Sequence, residues 1–503
     1  MKRTALLTVA EMTQADKMTV EAGTPGHVLM ERAGLAVAEA IVARWTARPV
    51  VVLCGPGNNG GDGLVVARRL VEAGWPVRVA LMGQLSAFKG DALLQAQGWD
   101  ADSCVPVHPD ALAGAGLVVD ALFGAGLNRP LDDAAAHTLR AVAQAGLPLV
   151  AVDVPSGVFG DTGLDTGAAK AVLTVTFFRQ KPAHVLMPGR ALCGEVLVAD
   201  IGLRPDMGEF VQPTAFENAP ESWLADWPSL GADHHKYQRG HALVYGGGLV
   251  TGAPRLAARA AARVGAGLTT VAVPEATWPV YAAALDCIMV QPLAGLDALA
   301  LSASLQGVLN DRRITAVLVG PGAAGGLGEG VRPLVDVVLA SGRPVVLDAD
   351  ALTAFEGDPE ALFSAIKVAR RAVVLTPHEG EFARLFPQAK ALASPDKLSR
   401  ARWAARHSGA VVVLKGADTV IASPDGLALV NTNAPPLLAT AGAGDVLAGL
   451  ITGLMAQGMD ALKAAAAAVW LHGEAAQAFG PGLVADDLPG QLPAVLQKLV
   501  QPG

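Results

Sequence analysis

Cysteine is scarce: the 503-residue chain has four, Cys54, Cys104, Cys193 and Cys287, with no C-x-x-C spacing. That excludes a disulfide framework and a zinc ribbon, and points to a reducing, cytoplasmic compartment. Charge is sparse as well, at 17% of residues, and its balance is acidic at −8. A general electrostatic grip on nucleic acid is therefore excluded, although local basic pockets for phosphates are not. No run of about 18 uncharged apolar residues occurs, so no membrane span is expected. The opening MKRTALLTVAEMTQADKM has Glu11 and Asp16 inside its apolar stretch and does not read as a secretion signal. Gly-Lys-Ser/Thr appears nowhere, which removes the Walker phosphate loop.

Apolar residues, by contrast, make up 52% of the chain, enough for two cores. Short β-branched runs at 50–53, 77–81, 117–120, 148–153, 171–177, 242–245, 268–273, 316–320, 345–348, 372–376 and 411–414 alternate with alanine- and leucine-rich stretches. Most are continuous rather than alternating, the pattern of parallel strands covered on both faces, so the class is α/β. The pattern lapses over 204–232, which is rich in proline and acids. The expected division is a domain over 1–215, a linker over 216–230 and a domain over 231–503, with Trp223 and Trp227 suggesting that the linker packs on a surface.

Three polar turns follow apolar runs in the first part: Asn58-Asn59-Gly60-Gly61-Asp62-Gly63, Asp120 to Gly126, and Asp153-Val154-Pro155-Ser156-Gly157. Ligands of open parallel sheets sit at such carboxyl ends. The first turn bridges the 50–53 run and a helix expected from Leu64, and its glycines let backbone amides approach a ligand. Asp62 would repel a phosphate there, so it either caps the helix or takes a ribose hydroxyl. Asn59, Asp120 and Ser156 offer oxygens suited to a weakly bound hard cation. A strand-end carboxylate also serves as a plain helix cap, and one such turn alone would decide nothing.

The second part carries Thr440-Ala441-Gly442-Ala443-Gly444-Asp445 at the opening of a helix. Amides of Gly442 to Asp445 can form an anion hole for a transferring phosphoryl group, with Asp445 placed to take a proton from the attacking hydroxyl. Lys415-Gly416-Ala417-Asp418-Thr419 ends another run with a lysine and a turn that could hold nucleotide phosphates. His378 and Glu381 follow a third, where Glu381 could touch Mg²⁺ through water and His378 could equally be structural. Asp348 and Asp350 in LDADAL serve catalysis or capping.

These motifs resemble a known family. CGPGNNGGDG, DALFGAG and VDVPSG look like the Rossmann-like epimerase domain of the NAD(P)H-hydrate repair enzymes. DHHKYQRG, VGAGLTTV, VGPG, LDADAL, LTPHEGEFARL, LKGADT and TAGAGDVLAG look like their ribokinase-type dehydratase domain. The resemblance implies epimerisation of hydrated NADH or NADPH at C6 in one domain, and ADP-dependent dehydration of the S form, releasing AMP and phosphate, in the other. It further implies that Asn58, Asn59, Gly60, Gly61, Asp62 and Gly124, Ala125, Gly126, Leu127, Asn128, Arg129, Pro130 line the hydrated cofactor. Asp153 would be the acid/base, and Asn59, Asp120 and Ser156 would hold K⁺. Ala266, Gly322, His378 and Asp445 would contact the dehydratase substrate. Lys415, Gly416, Ala417, Asp418, Thr419 and Gly444 would hold ADP, with Mg²⁺ as its metal. A homo-oligomer, tetramer or higher, is implied too. The chain departs from the family wording at Ala125, where threonine is usual, at Glu379-Gly380, where Pro-Gly is usual, and at Ala443, where serine is usual. The competing reading is a small-molecule kinase, for a vitamin or sugar hydroxyl, fused to a nucleotide-binding regulator.

Overall fold

A computed structural model describes residues 3–203, 211–229, 231, 235–324, 328–394 and 396–500. The chain separates into two compact units, Met1–Phe216 and Glu217–Gly503. In the first, a short strand β1 (Ala5–Leu6) precedes a parallel sheet of β2 (Val50–Cys54), β3 (Val77–Leu81), β4 (Val105–Pro106), β5 (Leu117–Ala121), β6 (Leu149–Val152), β7 (Leu173–Phe177) and β8 (Glu195–Ala199). The sheet order is β4-β3-β2-β5-β6-β7-β8 and each neighbouring pair is parallel. This is a Rossmann order, with its reversal between β2 and β5, where the sheet leaves a crevice at the strand ends. Every residue of β2, β5, β6 and β7 is buried, as the continuous apolar runs require.

Three helices shape that crevice. Helix α1 (Val9–Glu21) starts at a capping box, in which the Thr8 amide donates to Glu11 Oε2 at 2.7 Å and the Glu11 amide donates to Thr8 Oγ1 at 3.2 Å. Helix α2 (Gly26–Arg44) packs on α3 (Asn58–Glu72). The sequence suggested a glycine turn with the helix beginning at Leu64, but α3 begins at Asn58, and the glycines form its first turns. Their physical reason is internal. A Cβ at Gly60 would lie 1.8 Å from the Gly55 carbonyl, and one at Gly63 would lie 2.5 Å from Ala121 Cβ. The helix is seated directly on the sheet, too close for side chains.

A short strand β9 (Ala215–Glu217) spans the boundary between the units. The second unit is built on β10 (His241–Tyr245), β11 (Leu268–Pro274), β12 (Met289–Leu293), β13 (Ala316–Val319), β14 (Val345–Leu347), β15 (Val373–Leu375), β16 (Val411–Leu414), β17 (Val420–Ala422) and β18 (Ala428–Val430). They stand in the order β18-β17-β16-β15-β14-β13-β10-β11-β12, parallel from β16 to β12 and antiparallel at β17 and β18. Helices cover the sheet, and their alanines let them pack closely: Ala257, Ala258, Ala464 and Ala468 are fully buried.

From Glu217 on, the described part of the segment expected as a linker belongs to the second unit. Trp223 is 1% exposed, its ring centroid is 5.7 Å from that of Trp470, and its indole N–H donates to Asn218 Oδ1. Two large aromatic faces with a satisfied N–H make this a piece of core, not a spacer. Residues 204–210, 230 and 232, and the start of DHHKYQRG at 233–234, lie outside the described residues.

Candidate active sites

In the first unit the carboxyl ends of β2, β5 and β6 open onto a cavity of about 730 Å³. Asn58, Asn59, Asp62, Gly124 to Arg129 and Asp153 line it, whereas Gly60, Gly61 and Pro130 are not among its lining residues. Asp153 sits at φ 69°, in the left-handed region that aspartate visits more readily than most non-glycine residues. Its side chain is held there. Its Oδ1 accepts from Lys181 Nζ at 2.7 Å and Thr176 Oγ1 at 2.9 Å, and its Oδ2 accepts from the Ala125 amide at 2.9 Å. The Lys181 amide donates to His184 Nδ1 at 2.8 Å, which fixes the tautomer, so His184 Nε2–H donates to the Asp153 carbonyl at 2.8 Å. Burial raises the Asp153 carboxyl, but the Lys181 charge and hydrogen bond outweigh it and hold the group at about 2. Burial likewise drives His184 down to about 4, keeping it neutral.

Asp120 is wholly buried behind this pair. It takes the Ser156 amide on Oδ2 at 2.8 Å and the Ser156 hydroxyl on Oδ1 at 2.6 Å. Burial raises its carboxyl, and the Ser156 bonds only partly offset the rise. The Phe123 carbonyl lies 3.1 Å from Ser156 Oγ. The Asn59 amide, oriented to satisfy its neighbours, gives its N–H₂ to the Val152 carbonyl and turns its oxygen to the Gly124 amide. One carboxylate with hydroxyl, carbonyl and amide oxygens is a donor set of low total charge, fitting a monovalent hard cation.

The sequence reading missed Lys181 and Asp16. Lys181 lies in an unremarkable RQKPAH stretch and is 2% exposed, its only signal being a lysine soon after the β7 apolar run. Asp16, on α1, lines the cavity, and burial pushes its carboxyl up to about 6.

In the second unit the carboxyl ends of β14, β15 and β16 bring a second cluster together. Lys415 Nζ donates to Asp348 Oδ1 at 2.9 Å and stands 4.0 Å from Glu381 Oε2. A Cβ on Gly444 would lie 3.3 Å from the same nitrogen, so the ammonium sits against the start of the helix Ala443–Ala456. Gly442 supplies the left-handed turn before it, at φ 89°. Asp445, in that first turn, is raised to about 7 by burial, then by Asp348, against the lowering pull of Lys415. Amides at a helix N-terminus, a lysine and a carboxyl poised near neutrality are the parts that phosphoryl transfer to a hydroxyl needs.

The other expected residues divide. The Gly416 to Thr419 turn is closed by Thr419 Oγ1, which accepts from the Gly416 amide at 3.1 Å. Asp418 faces inward and pairs with Lys397 Nζ at 2.8 Å, so its charge is engaged by the protein. His378 caps the helix Glu379–Leu385, its Nδ1 accepting from the Gly380 amide at 3.0 Å, while Glu381 Oε2 accepts the His378 amide at 2.8 Å. Glu381 is therefore held in a capping box, which leaves it poorly placed as a magnesium contact. Gly322, at φ 61°, lets its loop approach the Val250 carbonyl, where a Cβ would lie only 2.3 Å away. Ala266 is not brought to the cluster: it is a buried core residue just before β11, at the amino end of the sheet.

Fold and geometry thus define two candidate sites, a carboxylate–lysine cavity in the Rossmann-order unit and a lysine–carboxylate cluster beside a helix start in the second α/β unit. Comparison with known proteins gives the particular kind. Residues 242–495 match a family model described as NAD(P)H-hydrate dehydratase, and residues 26–183 match that of the YjeF-related protein N-terminus. The bifunctional NAD(P)H-hydrate repair enzyme of Moorella thermoacetica is 39% identical over 98% of this chain and 97% of its own. That of Salinibacter ruber is 38% identical over 97% and 96%. Among solved structures, the ADP/ATP-dependent NAD(P)H-hydrate dehydratase of Bacillus subtilis, co-crystallised with ATP/Mg²⁺, is 29% identical, with a TM-score of 0.46 over 56% of this chain and 98% of its own. The chain belongs to the bifunctional NAD(P)H-hydrate repair enzymes.

Proposed function

We propose that the Asp153–Lys181 cavity epimerises hydrated NADH or NADPH at C6 and that the Asp445 cluster dehydrates the S form with ADP. The observation that carries this reading is the same in both units: a carboxylate paired with a lysine at the carboxyl ends of a parallel sheet, beside backbone amides. At C6 a hydroxyl and the ring nitrogen share one carbon, so the nitrogen lone pair assists loss of the hydroxyl. Hydroxide leaves poorly and phosphate leaves well. Asp445 takes the hydroxyl proton as that oxygen attacks the β-phosphorus of ADP. Lys415 and the Gly442 to Asp445 amides hold the charge that develops on the transferring group, and AMP departs.

Asn59, Asp120, Ser156 and the Phe123 carbonyl would hold K⁺, whose charge would compensate the buried Asp120. Lys415 to Thr419 and Gly444 would hold the nucleotide, whose phosphates Mg²⁺ would neutralise. The four free thiols, two of them buried, fit the cytoplasm. No helix among the described residues is long and apolar enough to cross a membrane. The assembly is a homo-oligomer under the same reading.

The test uses a mixture of R and S hydrates of NADH with ADP, following the return of reduced-nicotinamide absorbance. Wild-type protein consumes both forms. Asp153→Asn stops after the S form, and Asp445→Asn recovers nothing. A stable phosphate ester in place of NADH would instead favour the small-molecule kinase.

A further inference from the structure

Helix α1 turns one face to the cavity of the first unit: Val9, Met12, Thr13, Asp16, Lys17 and Val20, at helical spacing, with Asp16 and Lys17 its only charged residues. Asp16 has no hydrogen bond and no ion pair among the described residues. A carboxyl in the middle of such a face normally finds a partner or is absent. Across the same cavity, Asp62 of α3 is likewise without a hydrogen bond or ion pair. The charged groups facing this space are Lys181 and Asp153 from the strand ends, Lys17 beside Asp16, Asp91, and Arg129. The Lys181 charge is already taken by Asp153, at 2.7 Å.

We propose that Asp16 is a second catalytic residue of the epimerase, the base that takes the proton from the water entering at C6. The proposal rests on the reading of this cavity as the epimerase site. The step balances. Asp62, in its neutral form, gives a proton to the departing C6 hydroxyl. The C–O bond breaks with both electrons on oxygen, water leaves, and the N1 lone pair forms the C=N bond of a ring cation. The Asp153 carboxylate, kept ionised, stabilises that cation. Water then attacks the other face of C6, its electron pair closing the C–O bond as the C=N electrons return to N1, and Asp16 takes its proton. In the opposite direction the two acids exchange roles, and solvent resets them.

The electrostatics suit the roles. Burial, joined by Asp153, pushes Asp16 to about 6, while Lys181 pulls the other way. Burial, with the Asp153 and Asp16 charges adding to it and Lys181 opposing, puts Asp62 well above the ordinary range too. Two carboxyls without a hydrogen bond or ion pair thus face one cavity, Asp16 placed to act as the base and Asp62 as the acid.

The experiment uses the full-length chain and ¹⁸O-labelled water, reading both R-to-S conversion and label at the C6 hydroxyl by mass spectrometry from pH 5 to 8. Wild-type epimerisation is expected to carry label and to fall about tenfold per pH unit below about 6, as Asp16 is protonated. Asp16→Asn is expected to slow it by about 10²-fold or more, to lose the acidic limb, and to leave dehydration of pure S hydrate unchanged. Asp16→Glu should restore the limb. An unchanged rate in Asp16→Asn, a slow rate that keeps the limb, or conversion without label overturns the proposal. If wild-type protein does not epimerise, it is the reading of the cavity that fails.

Discussion

Asp153 and Asp445 each face a lysine, yet the neighbourhood fixes them at opposite ends of the carboxylate range. Asp153 is held at about 2: burial raises it, but the Lys181 ammonium, in direct contact at 2.7 Å, outweighs the burial. Asp445 rises to about 7, first because it is buried and then because Asp348 stands nearby, while the Lys415 ammonium that would lower it is shared with Asp348 and Glu381. The consequences for stability have opposite signs. A depressed carboxyl stabilises the fold above its unfolded value near 3.8, and that stability is lost as pH falls toward 2. Asp153→Ala should therefore destabilise the first unit, by about 3–5 kcal/mol, since it also strands a buried ammonium. A raised carboxyl works in reverse: the folded state holds its proton longer, so stability declines as pH rises from about 4 to 7. Asp445→Asn should melt higher than wild type at pH 8 and lose that advantage by pH 4. Thermal melts at the two pH values check both signs, and equal melting at pH 8 would remove the raised carboxyl from the account.

At the scale of elements, the glycines of the α3 start show where sequence reasoning reached and where it stopped. The motif marked the site, but its glycines are needed because Gly60 lies against the nearby Gly55 carbonyl and Gly63 against Ala121 of β5, the latter a contact between segments far apart in the chain. Gly60→Ala should drive its Cβ into the Gly55 carbonyl and cost about 1–3 kcal/mol or prevent folding of the first unit. Gly57→Ala, which meets nothing within 4 Å, should melt like wild type. Equal melting of the two variants would show that the helix is not seated this closely. The interior strands, β2, β5, β6, β7, β10 and β13 to β16 among them, were legible because burial on both faces writes an unbroken apolar run. Strands β8 and β12 were not, being at sheet edges, half wet, with Pro292 inside β12. Strands β17 and β18, three residues each, are too short to carry a period. Asp445 and Asp153 were readable because each follows a turn that announces itself. Lys181 and Asp16 were not, because a lone lysine and one acid on an apolar helix face acquire meaning only when the chain closes around them.

For the molecule as a whole, the placement of the groups predicts how the two reactions combine. Asp16, Asp62, Asp153 and Lys181 all belong to Met1–Phe216, and Asp348, Lys415 and Asp445 all belong to Glu217–Gly503. The named residues of each cluster thus come from one unit, and the expectation is that S hydrate released by the first site serves the second from solution. Two crippled proteins should then complement. Asp445→Asn alone leaves all the hydrate, and Asp153→Asn alone leaves the R portion apart from slow uncatalysed epimerisation. An equal mixture should return the whole pool to NADH, at a rate that rises with the concentration of either variant. If the mixture does no better than Asp153→Asn alone, the S form passes between sites without release, and fusion on one chain is a requirement of the chemistry. If it recovers fully, fusion fixes a one-to-one ratio of the activities. That ratio suits a substrate whose two forms arise together, since neither form then outlasts the other.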